Sequence, residues 1–153
     1  IPVKHLSSSE KKKTKDTLVD HKTPWQSQHL KSLQIAYRNS PFFEFYEDDL
    51  LSLFSKEYKY LLDLNIDTYL FIMDALQIHK ESTKTNKYIV SLENDYRYLA
   101  NAKQDLGINF DNYIQMFDDK HGFQKNLSVL DLLFMEGPNS ISFLENNTLT
   151  FKN

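Results

Sequence analysis

The sequence predicts an α+β fold, predominantly helical, with a small sheet near the N-terminus. Three observations predict it. Glycine occurs 3 times in 153 residues, well below the roughly 7% usual in proteins, so most of the chain belongs in regular elements and glycine is kept for positions that need a positive φ. Helical spacing of apolar residues recurs from position 24 onward. Two short stretches near the start, "IPVKHL" (1–6) and "DTLVDH" (16–21), alternate apolar and polar residues as half-buried strands do. With 41% hydrophobic and 14% aromatic residues the chain has the apolar surface to offset its conformational entropy, and its length suits one domain.

Taken in order, residues 1–4 are expected to form an edge strand of that sheet. "EKKKTK" (10–15) follows as a loop, either simply solvated or a phosphate-binding patch. "TPWQ" then starts a helix, with Thr23 as N-cap, Pro24 at the first helical position and Gln26 completing a capping box. Trp25 packs inward, and the helix runs to about residue 39, where Pro41 stops it. "FFEFYE" (42–47) reads as a buried connection. "EDDLLSLFSKEYKYLL" resumes helical spacing through Leu50, Leu53, Phe54, Tyr58 and Leu61, its acidic start matching the positive end of a helix dipole. A further amphipathic helix is expected over 67–78, its aromatic stripe serving as core. A polar loop with a β-like piece at 88–90 comes next, then a helical turn ending at Gly107 as a C′ glycine. "YIQMF" (113–117) alternates and permits a strand. At 118–139, "DDKHGFQKNLSVLDLLFMEGPN", Ser128 and Asp131 form a capping box, the helix starts at 129 and buries Leu130, Leu133 and Phe134, Gly137 ends it, and Pro138 opens the last helix.

A net charge of −3 exerts no global pull toward nucleic acid or anionic lipid, so no nucleic-acid partner is expected. The most apolar run, "YLFIM", is stopped by Asp74, far short of the ~20 residues that span a bilayer, so no membrane insertion is expected. The absence of cysteine excludes disulfides, cysteine nucleophiles and thiolate metal sites, and favours a reducing, cytoplasmic setting. The chain begins "IPVK", without Met and within an apolar run, so it is expected to be N-terminally incomplete. No serine-hydrolase elbow, phosphate-binding glycine loop, H-E-x-x-H or dinucleotide motif is present. Among the five histidines, His121, between acidic residues and a glycine, and His29, on a helical face, are the candidates for function; His5, His21 and His79 rank below them. A metal site built from His29, His121 and Asp118 or Asp119 is a weaker alternative, since the spacing specifies nothing.

Two stretches, "TPWQSQHLKSLQIAYRNSPFFEFYEDDL" and "DDKHGFQKNLSVLDLLFMEGPNSISFL", resemble the WbqC-like protein family, met in bacteria and often beside genes for O-antigen and other surface polysaccharides. The likeness runs over residues 1–144. Lys125 stands where the family pattern has proline and Met135 where it has asparagine, and the family's usual opening segment with its Gln-Pro motif is not in the chain. The resemblance implies a single WbqC-like domain over residues 1–153 and marks Trp25, Gln28, His29, Tyr37, Arg38, His121, Asn126, Asp131 and Glu136 as positions to test. It names no settled reaction, cofactor or oligomeric state.

Two functions follow from it. In the first, the protein acts on or binds a nucleotide-linked sugar, with His29 or His121 as general base, Arg38 holding a phosphate or carboxylate, and Trp25, Gln28, Tyr37 and Asn126 contacting substrate. In the second it is a non-catalytic scaffold that presents "PFFEFYE" to a protein partner. The first requires the His121 loop to fold against the N-terminal half of the helix at 25–39, bringing both imidazoles to one cleft with Arg38 at its rim. A phosphate site at the helix start beside Ser128 ranks lower, because Asp131 places a negative charge there.

Overall fold

Helices carry the architecture in the computed structural model, which describes residues 1–4, 13–93, 95–100 and 110–147. They are α1 (Trp25–Tyr37), α2 (Phe43–Ser55), α3 (Leu61–Ala75), a single turn α4 (Asp118–His121), α5 (Val129–Glu136) and α6 (Ser140–Asn146), with 3-10 turns at Thr14–Asp16, Arg97–Ala100 and Gly137–Asn139. The described residues include no strand, so the α+β expectation gives way to a helical fold. What remains of the small sheet is two isolated antiparallel bridges, Val3 with Val19 and Leu18 with Tyr60. The paired backbones do meet: Lys4 N–H donates to Leu18 O at 2.9 Å, Asp20 N–H to Pro2 O at 2.9 Å, and Leu61 N–H to Thr17 O at 2.9 Å. Neither pairing extends, because Pro2 has no N–H to offer the next rung and Leu61 is already the first residue of α3. His5, the first half of the lysine-rich stretch (10–12) and Gly107 lie outside the described residues.

The 88–90 piece and the 113–117 segment are not strands either. In the second, the alternation is real while the partner is not a strand. Ile114 points out at 72% exposure and Gln115 is buried. The Gln115 side chain donates to Gln124 O at 2.8 Å and accepts from Gln124 N–H at 2.7 Å, replacing a ladder with one amide.

Two apolar clusters make the core. Phe43, Leu50, Leu76, Leu133 and Phe134 form one; Val19, Trp25, Tyr58 and Leu64 form the other. Phe54 packs against both and joins them. Helix α2 begins earlier than the expected connection allowed, because Phe43, Tyr46, Leu50, Leu53 and Phe54 continue one helical stripe back through the aromatic run. Helix α3 likewise begins at Leu61 rather than near 67, and it ends in a Schellman-type turn in which Gln77 takes φ 56° while Ile78 N–H donates to Met73 O at 2.8 Å.

The entry to α1 differs from its expected chemistry. Pro24 is the N-cap, no side chain caps the helix, and the Thr23 hydroxyl bonds to no backbone N–H among the described residues. Trp25 does pack inward, at 3% exposure. Gln26 is used elsewhere: its side-chain amide donates to Phe54 O at 2.9 Å and Lys56 O at 2.7 Å, satisfying carbonyls that the end of α2 leaves orphaned. Gln26→Ala is therefore expected to cost about 1–2 kcal/mol, and Thr23→Ala less than about 0.5 kcal/mol. Urea midpoints of the two variants check this, and equal losses would count against it.

The second marked stretch follows its local grammar closely. Ser128 caps α5 by accepting from Leu130 N–H at 3.3 Å, and Gly137 ends it at φ 52°. Pro138 lies in the 3-10 turn that leads directly into α6. Leu133 and Phe134 are fully buried. The buried Ser140 hydroxyl donates back to Leu132 O at 3.3 Å, fixing α6 on α5.

Candidate functional site

The residues marked on α1 divide by face. Trp25 and Tyr37 turn inward, while Gln28, His29 and Arg38 are exposed. Nine residues separate His29 from Arg38, a rotation of ~180° at 3.6 residues per turn, so the two flank the buried stripe instead of converging. Arg38 faces Glu47 of α2 at 3.8 Å with 66% of its side chain exposed, a surface pair of little energetic weight. Gln34 donates to the same Glu47 carboxylate at 2.8 Å.

His29 stands edge-on to Trp25, ring centroids 5.5 Å apart, and 6.4 Å from Phe54. His121 is the exposed last residue of α4; its N–H donates to Phe117 O at 3.0 Å and its carbonyl accepts from the Gln124 amide at 2.8 Å. The ring contact between this segment and α1 is Phe117 on Tyr37, 6.4 Å between centroids. That contact lies about 12 Å along the helix axis from His29 at 1.5 Å per residue. Asn126 adopts φ 58°, a conformation asparagine tolerates better than most residues. It lines a pocket of about 160 Å³ with Tyr113, Phe123 and Phe143. The described residues contain no group of three or more metal-ligating side chains.

Asp131 was expected to complete a capping box and does something else. Its carboxylate is buried, at 1% exposure, and accepts the Tyr113 hydroxyl at 2.9 Å. Burial, and after it the charge of Asp131, holds the Tyr37 phenol well above its ordinary range. Burial raises the Tyr113 phenol most; the Gln115 hydrogen bond, next in size, pulls the other way, and Asp131 with Glu136 add to the rise, bringing it up to about 12. The signal for this cluster was a single carboxylate inside the apolar run "VLDLLF", which a helix cap alone does not require.

An open groove of about 660 Å³ runs between α2 and α3, and the sequence reading did not find it. At one end Lys56 pairs with Asp67, and Tyr58, itself 1% exposed, donates its hydroxyl to the same carboxylate at 2.9 Å. The Lys56 and Tyr58 hydrogen bonds hold Asp67 below the usual carboxylate range. Burial and Asp67 raise Tyr58 strongly. Asp49, Asp74, His79 and Lys80 also line the groove. The start of α1 supports this wall: Gln26 bonds the Lys56 carbonyl, and His21 Nε2 donates to the Tyr58 carbonyl at 2.8 Å.

Tyr37, Tyr58 and Tyr113 thus favour their neutral form in the fold, as Tyr46 does through burial alone. An unfolded tyrosine ionises near pH 10, so their stabilisation is complete below that pH and is lost as pH rises through the folded values, about 12 for Tyr113. Phenolate absorbance is expected to rise in two waves, the later one coincident with loss of helical ellipticity. A single wave near pH 10 with the helices intact would contradict the assignment.

Among comparisons with known proteins, no curated protein and no solved structure matches the chain. A family model described as the WbqC-like protein family matches residues 1–115. The matched part holds the stretch from Thr23 to Leu50 and both walls of the α2–α3 groove; it ends before the marked stretch at 118–144, which the fold nonetheless joins to it through Phe43 against Phe134, centroids 5.2 Å apart. Covering well over half of the sequence, that match makes the chain a member of the WbqC-like protein family.

Proposed function

We propose that this WbqC-like protein binds a nucleotide-linked sugar during bacterial surface polysaccharide assembly, and that the ligand lies in the α2–α3 groove. The observation that carries this reading is the groove's size and mixed chemistry. About 660 Å³ falls within the usual 300–1,000 Å³ of small-molecule sites. Lys56 and Lys80 suit a phosphate, Asp49 and Asp74 accept sugar hydroxyls, and Tyr69 offers an aromatic surface. In this reading the Trp25 corner acts on the groove indirectly, by holding the backbone of Lys56 and Tyr58. His29, His121, Gln28, Arg38 and Asn126 are not among the residues lining this groove, so a catalytic role for either imidazole is a separate proposal, and with no described contact joining the two each is tested alone.

A thermal-shift series with uridine- and thymidine-linked hexoses tests the reading, because a ligand bound only by the folded chain raises its melting temperature. A shift that needs both nucleotide and sugar, and that disappears in Lys56→Ala/Lys80→Ala, supports it. No shift with any nucleotide-linked sugar, or one that survives in the groove variant, overturns it. His29→Ala and His121→Ala, assayed for turnover of a ligand that binds, decide whether either imidazole is catalytic.

The scaffold reading has its own observation. An apolar groove of about 540 Å³ opens beside α3, lined by Leu50, Leu53, Phe54, Phe71, Ile72 and Leu130. The aromatic stretch assigned to that role contributes less than expected, since Phe43 is fully buried and, of the three phenylalanines, Phe45 is the exposed one, at 76%.

A further inference from the structure

Exposed large hydrophobic side chains among the described residues are densest between 88 and 99, where Tyr88, Ile89, Val90, Leu92, Tyr96 and Leu99 all face solvent, Val90 at 81%. Single exposed apolar residues are ordinary on a protein surface, whereas a contiguous run marks an interaction site. This run is also held in place. Arg97 donates to Asp95 at 2.7 Å through Nε, to Ile89 O at 3.0 Å and to Val90 O at 3.2 Å, and its guanidinium lies 5.0 Å from the Tyr88 ring centroid. The clasp draws the Ile89 and Val90 carbonyls toward the arginine while their side chains remain outside.

From this arrangement we infer that the Arg97-clasped loop docks the protein on an anionic lipid surface, with Ile89, Val90 and Leu92 entering the headgroup layer and Lys84 and Lys87 facing lipid phosphates. The charge pattern selects the occupant. From residue 84 to 99 the chain carries Lys84, Lys87 and Arg97 against Glu93 and Asp95, a net +1 in a protein whose net charge is −3; with Asp95 paired to Arg97, the two lysines face a single remaining carboxylate, Glu93. The core of a protein–protein interface is depleted in lysine, whereas lysine beside tyrosine and aliphatic side chains is what an anionic membrane interface attracts. No helix among the described residues is long and apolar enough to cross a membrane. The inference stands apart from the groove and from any sugar ligand.

Cosedimentation of the full chain with phosphatidylcholine vesicles, with and without phosphatidylglycerol, tests it. Binding is expected only with the anionic lipid and is expected to weaken in high salt. Lys84→Ala/Lys87→Ala should lower the affinity about thirtyfold, the effect of two lysines near an anionic surface. Ile89→Ser/Val90→Ser/Leu92→Ser should lower it at least about tenfold. Should the serine variant fold poorly, the lysine variant, which leaves the clasp intact, still decides. No association with anionic vesicles at low salt, or association undiminished in both variants, overturns the inference. So does a vesicle-free sedimentation experiment in which the native chain is a dimer and the serine variant a monomer, which would make the face a contact between copies.

Discussion

Replacing Phe134 by alanine is expected to lower the unfolding free energy by about 3–5 kcal/mol. The ring is fully buried and lies among three others, with centroids 5.0 Å from Tyr37, 5.2 Å from Phe43 and 6.2 Å from Tyr46. Its loss leaves a cavity at the point where α1, α2 and α5 meet, and aromatic pairs contribute beyond their area. Against a domain stability of about 5–15 kcal/mol, one such change consumes a large share. The more severe version ends the chain after Gln115, the last residue matched by the family model. That truncation removes Leu132, Leu133 and Phe134, exposed at 4%, 0% and 0%, and uncovers Phe43 and Leu50. Residues 1–115 alone are then expected to show no cooperative transition in urea. A cooperative transition from the truncated chain would mean that the matched region owns a complete core, contrary to the packing described here.

How much of this was legible in the sequence depends on how local each cause is. Ser128, Gly137 and Pro138 were readable because a cap, a positive φ and a helix stop are decided within a few residues. The inward Trp25 was readable for a similar reason. Thr23 was misread because Gln26, its expected partner in a capping box, is drawn to the far end of α2, a contact no local pattern announces. Asp131 satisfied a local rule on paper, yet its carboxylate serves a tyrosine 18 positions away. The sheet failed on two details, a proline without an N–H and a helix beginning one residue after its bridge. The α2–α3 groove was invisible, since its lining residues are scattered from 49 to 80 and acquire a common chemistry only when the helices pack. Of the marked site residues, the spacing did sort inward from outward on α1, but spacing along one helix says nothing about which loop lies over it.

Gly137→Ala is the second large loss expected, about 2–5 kcal/mol, and it has two separable causes. The backbone there sits at φ 52°, ψ −123°, a region that residues with a Cβ enter at a cost of about 1–3 kcal/mol. An added Cβ would also lie 2.5 Å from Cγ and Cδ1 of Phe42. Because Cγ is the root of the ring, and the Phe42 backbone is tied to Phe134 O at 3.0 Å through its N–H, relief requires the side chain to change rotamer; overpacking of this kind costs about 1–3 kcal/mol. A double-mutant cycle with Phe42→Ala separates the causes. In the Phe42→Ala background the steric part of the Gly137→Ala penalty disappears and the conformational part stays, so the second substitution should cost less than it does in the native chain but not nothing. A penalty equal in both backgrounds would show that the ring yields freely and that the positive φ alone demands glycine. A penalty that vanishes would show the reverse, that the turn accepts an L side chain once Phe42 is gone.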